Sequence, residues 1–107
     1  MRLTESQVKT ILSVAAAELK TRPFEVFLYG SRVNDSLRGG DIDLYFLSEN
    51  EWAVEDQKNI FRLMAALKSP SALGDRKMNL SLISKAEQAT DPFWKGLTQI
   101  QSLGFCK

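Results

Sequence analysis

Two short apolar runs, Phe24–Tyr29 and Ile42–Leu47, limit the folds open to this chain more than anything else in it. Both are aromatic and β-branched, both are bounded by turn residues, and both are too short for a typical globular helix, so each reads as a strand. Gly30-Ser31 closes the first run, nine residues intervene, and Asp41-Ile42-Asp43 opens the second. Side chains alternate along a strand, so Asp41 and Asp43 project from one face, about 6.6 Å apart at Cα for a rise of about 3.3 Å per residue. Two carboxylates so placed repel unless a cation lies between them or one takes up a proton. Gly30 permits close backbone approach, and Ser31 offers a hydroxyl and an N–H where a turn would aim N–H groups at an anion. An anion cradle facing a carboxylate pair is the pattern expected for a metal–phosphate complex.

The chain contains no histidine. That removes serine–histidine and cysteine–histidine nucleophiles and the usual zinc sites. Any metal here is held by oxygen, which favours Mg²⁺ or Mn²⁺. A length of 107 residues is read as one domain, 1–107, with a single core. Hydrophobic content of 44% and charged content of 25% are those of a soluble globular protein. A net charge of +1 gives no reason to expect nucleic acid as a partner. No apolar run reaches membrane length, and Met1-Arg2-Leu3-Thr4 lacks a signal-peptide core. Cys106, the one cysteine, has no intramolecular partner. The expected compartment is therefore the cytoplasm.

Taken in order, Thr4-Glu5-Ser6-Gln7 reads as a capping box with Leu3 and Val8 as a hydrophobic staple. Val8, Ile11, Leu12, Ala15 and Leu19 then predict an amphipathic helix over 5–20, ended before Pro23. Between the two strands, Arg32 and Arg38 either grip a phosphate group or are solvated loop cations, and Gly39-Gly40 gives the freedom to turn into Asp41. Ser48-Glu49-Asn50-Glu51 is a second candidate capping box, leading into a long helix marked by Ala53, Ile60, Phe61, Met64 and Leu67. Lys77–Ile83 alternates, with Met78, Leu80 and Leu82 on one face and Lys77, Asn79 and Ser81 on the other, which predicts a third strand. Asp91-Pro92 starts a last helix, with Phe93, Leu97, Ile100 and Leu103 as its stripe and Gly104 as its C-cap. Of the pair Phe93-Trp94, at least one member is expected in the core, and the pair also has the character of a binding surface. The expected fold is α/β (α+β): a small mixed sheet with helices packed on one side, in the order α-β-β-α-β-α.

Gly30-Ser31, nine residues, then Asp41-Ile42-Asp43 resembles the signature of the DNA polymerase beta-like nucleotidyltransferase superfamily, and the chain is most similar to its minimal nucleotidyltransferase branch. The resemblance covers about residues 5–103, with its specificity in the motif half. It implies the nucleotidyltransferase fold and a site in which Gly30, Ser31 and Arg32 contact the triphosphate while Asp41 and Asp43 bind Mg²⁺ or Mn²⁺. It also implies a third acidic residue on the third strand, where Met78-Asn79-Leu80 supplies Asn79. Asp75 lies roughly 13 Å back along an extended strand and replaces it only where the strand begins later. An amide ligates a hard cation but carries no charge and accepts no proton.

Two readings follow. In the first, the chain transfers a nucleoside monophosphate, AMP from ATP, to a hydroxyl on a partner protein. By the same resemblance that partner is a helical HEPN-like protein, and the chain is the antitoxin of a toxin–antitoxin pair. In the second, it is a nucleotide-binding or partner-binding subunit that has lost turnover, as Asn79 favours. Self-association is left open by the sequence.

Overall fold

Thr4 starts the first helix as its sequence predicts. In the computed structural model, which describes residues 3–30, 42–69 and 77–107, α1 spans Glu5–Glu18. The Thr4 hydroxyl accepts from the Gln7 backbone N–H at 3.1 Å, and the Gln7 side chain accepts from the Thr4 N–H at 2.9 Å. Leu3 is buried in the core, and Val8 packs against the same core. The helix buries Ile11 and Ala15 and stops at Leu19, whose N–H still reaches the Ala15 carbonyl.

The remaining elements are β1 (Phe24–Tyr29), β2 (Ile42–Ser48), α2 (Val54–Lys58), α3 (Ile60–Leu67), β3 (Met78–Ser84), α4 (Lys85–Thr90), α5 (Pro92–Lys95) and β4 (Ile100–Cys106). The strands form one mixed sheet in the order β3-β2-β1-β4. β1 lies antiparallel to both β2 and β4, whereas β2 and β3 are parallel and joined through α2 and α3. A parallel pair requires such a crossover. The sheet therefore combines a hairpin-like half with a β-α-β half, an α+β architecture.

Alternation gives the sheet two unlike faces. Phe24, Val26, Leu28, Ile42, Leu44 and Phe46 point into the main core, which α1 and α3 cover with Ile11, Ala15, Leu63 and Leu67. The opposite face carries Tyr29, Tyr45, Leu47 and Ile83, with Phe27, Trp94, Leu97 and Ile100 packed on them. One-sided helix packing thus holds for α1 and α3 but not for α5, whose Trp94 lies on the second face.

The structure departs from the sequence expectation at four further places. The long helix after Ser48 does not begin there. Ser48 is the last residue of β2, paired with Phe24 and Ser84, and its hydroxyl accepts from the Asn50 N–H. Trp52 then turns into the core with its indole N–H on the Ile83 carbonyl at 2.8 Å, so α2 starts only at Val54. The last helix is cut to four residues and capped by Gly96, and Ile100–Cys106 is a strand. Between Val26 and Phe27 the β1–β4 register steps from Gly104 to Ser102, so Leu103 is an extra, bulged residue that reaches the core. Gly104 is no helix cap. At φ +141° it lies under α1, and a Cβ there would meet Leu12 Cδ1 at 3.0 Å. Finally, α4 was not expected; Ser84 caps it by accepting from the Glu87 N–H. The order of described elements is α-β-β-α-α-β-α-α-β, and among the described residues no helix is long and apolar enough to cross a membrane.

Candidate functional site

Three neighbouring strands bring one row of side chains together on the face away from α1. Tyr29 on β1 is the register partner of Asp43 on β2, and Asp43 is the register partner of Asn79 on β3. Partners in register share a face, so all three side chains project to the same side. In the next row, Phe27, Tyr45 and Ser81 stand in the same relation. The strand ends are fixed by the Gly30 N–H on the Gln99 carbonyl at 3.2 Å and the Ile42 N–H on the Lys77 carbonyl at 3.0 Å.

Asp43 sits at the centre of this row. Its Oδ1 accepts from Asn79 Nδ2 at 2.6 Å. Its Oδ2 lies against Gly30, where a Cβ would come within 2.9 Å of it. Gly30 also has φ +81°, a conformation that costs a side-chain-bearing residue about 1–2 kcal/mol. Two independent requirements, space for a carboxylate oxygen and a left-handed backbone, therefore call for glycine at this position.

Tyr29 completes the corner. Burial pushes its phenol above the usual tyrosine range, the Asp43 charge pushes the same way, and a hydrogen bond with Ser81 opposes them. The phenol stays protonated at neutral pH beside the carboxylate. Sequence reasoning missed Tyr29 as a site residue, although alternation from Phe24, Val26 and Leu28 places it on the aspartate face.

Of the residues expected in the site, Gly30, Asp43 and Asn79 are brought together. Ser31, Arg32, Asp41 and the alternative acid Asp75 lie outside the described residues, as does Arg38. The described oxygen donors at this corner are the Asp43 carboxylate, the Asn79 amide and the Tyr29 and Ser81 hydroxyls, a set suited to a hard divalent cation. Among the described residues no group of three or more acidic or thiol side chains converges on a metal-holding point. The described residues supply one carboxylate to this corner, that of Asp43. No protein-family model and no curated protein sequence matches the chain.

Proposed function

We propose that the chain binds a metal–nucleoside triphosphate at the Gly30–Asp43–Asn79 corner and transfers the nucleoside monophosphate, AMP from ATP, to a hydroxyl on a partner protein. The observation that carries the reading is the fit of Asp43 to Gly30. A glycine is required where the motif has one, and the aspartate side chain it accommodates belongs to the Asp-x-Asp strand. The resemblance of Gly30-Ser31 and Asp41-Ile42-Asp43 to the nucleotidyltransferase signature supplies the reaction class.

In such a transfer, the acceptor hydroxyl oxygen forms a bond to the α-phosphorus. The bond from that phosphorus to the α,β-bridging oxygen breaks, and pyrophosphate leaves with the electron pair. The hydroxyl proton needs an acceptor, and among Gly30, Asp43 and Asn79 only Asp43 can take it. Bare backbone at Gly30 admits a phosphate close to the strand end, and the Tyr29 phenol is a donor for its oxygens. Mg²⁺ or Mn²⁺, held by Asp43 with Asp41, would polarise the phosphoryl oxygens. The partner implied by the resemblance is a helical HEPN-like protein, with the pair acting as a cytoplasmic toxin–antitoxin module.

One observation favours a second reading. Asn79 donates an N–H to Asp43 instead of adding a negative charge beside it. A chain so altered would keep nucleotide or partner binding and lose turnover. Incubation with [α-³²P]ATP and Mg²⁺, alone and with the product of the adjacent gene, separates the two. Label on either chain, abolished by Asp43→Asn, is the expected result. Retention of Mg²⁺–ATP without transfer of label would establish the binding subunit.

A further inference from the structure

Phe93 stands out among the aromatic residues around the candidate site. Tyr29 and Tyr45 are 9% and 1% exposed, whereas Phe93 is 57% exposed. Single exposed apolar side chains are ordinary on protein surfaces. Phe93, however, is held in place. Its backbone N–H is tied to Asp91 Oδ1 at 2.9 Å, and Pro92 precedes it at the start of α5. Its ring meets Trp94 edgewise with centroids 4.7 Å apart and Tyr29 with centroids 6.4 Å apart. Trp94 is in turn packed on Tyr29 and Tyr45, so the support extends into the second core.

Tyr29 joins this aromatic cluster to the carboxylate. Its ring touches Phe93 and Trp94, its register partner is Asp43, and Asp43 acts on its phenol. A fixed and largely open ring therefore stands one side chain away from the place where a triphosphate would bind. Nucleotides combine a charged tail with a flat base, and aromatic side chains bind bases by stacking without reading their identity. The geometry points to Phe93 as the stacking platform for the base of the nucleotide whose triphosphate binds at Asp43. This inference rests on the metal–triphosphate reading of the site. The ligand class it names is a nucleoside triphosphate, bound more tightly than inorganic triphosphate and with little discrimination among bases.

Calorimetric titration of the whole chain with Mg²⁺–ATP and with Mg²⁺–tripolyphosphate tests it, using wild type, Phe93→Ala and Phe93→Tyr. Wild type is expected to prefer ATP, Phe93→Ala to lose about tenfold in ATP affinity alone, and Phe93→Tyr to restore it. Binding of tripolyphosphate and ATP with equal affinity by wild type would overturn the role of Phe93 and leave the triphosphate site standing. So would ATP affinity that Phe93→Ala leaves intact, which would turn the exposed ring towards a protein partner. A parallel loss of both ligands in Phe93→Ala would mean that the ring only supports the fold. Failure of wild type to bind either ligand would overturn the site and the platform together.

Discussion

At Asn79 an amide N–H faces Asp43 Oδ1 at 2.6 Å, in register across the parallel β2–β3 pair. The bond gives Asp43 a neutral donor, where an acidic residue in the same place would set a second negative charge beside it. Asn79→Asp exchanges that bond for a repulsive pair, and such pairs are relieved by a proton or a cation. The variant is therefore expected to melt lower than wild type without metal and to recover more on addition of Mg²⁺. If wild type transfers nucleotide weakly, the added proton acceptor is expected to raise transfer about a hundredfold. Asp75→Asn should change little. Metal-independent melting of Asn79→Asp, or loss of transfer in Asp75→Asn, would place the third acidic position elsewhere.

Between elements, a polar tie is made by Asp56, a fully buried residue at the start of α2. Its carboxylate accepts from the Lys20 N–H at 2.6 Å, the Thr21 N–H at 2.8 Å and the Thr21 hydroxyl at 2.5 Å, so α2 holds the turn from α1 into β1. Burial pushes its carboxyl up, but the Thr21 hydroxyl, the two backbone N–H groups and the Lys20 charge outweigh it and hold the group below the usual aspartate range. A folded-state value below the unfolded one stabilises the fold fully above the unfolded value, near pH 4 for an aspartate, and the gain fades as pH falls through that range. Urea midpoints of wild type should drop between about pH 5 and pH 2 more steeply than those of Asp56→Asn. Asp56→Ala should cost about 3 kcal/mol at pH 7, because buried donors lose a charged acceptor. Equal pH slopes would contradict this. Thr4-x-x-Gln7 is a cap, Ser48-x-x-Glu51 is not, and Ser84-x-x-Glu87 is one. The local pattern is alike in all three, but Ser48 lies inside the sheet, paired on both sides, and the next segment is drawn to the core by Trp52. β4 was hidden because its bulge at Leu103 breaks the two-residue alternation, leaving Ile100 and Leu103 three apart as on a helix.

For the molecule as a whole, the sheet divides the labour between its faces. The α1–α3 side buries the large core, and the other side exposes an acidic, oxygen-rich corner bordered by aromatic rings. Gly30, Asp43 and Asn79 were legible in the sequence because each lies on or beside a strand whose alternation fixes its face. Contact of Phe93 with Tyr29 was not, since it depends on α5 stopping after four residues and returning along β4. Thermal melting with and without millimolar Mg²⁺–ATP asks directly whether the corner binds a metal–triphosphate at all. At a hundredfold excess over the dissociation constant, binding adds about 2.7 kcal/mol, which raises the melting temperature of a domain this size by roughly 10 °C or more. A rise of that order in wild type that disappears in Asp43→Asn is the predicted result, and a melting curve that Mg²⁺–ATP leaves unmoved in wild type would contradict the account.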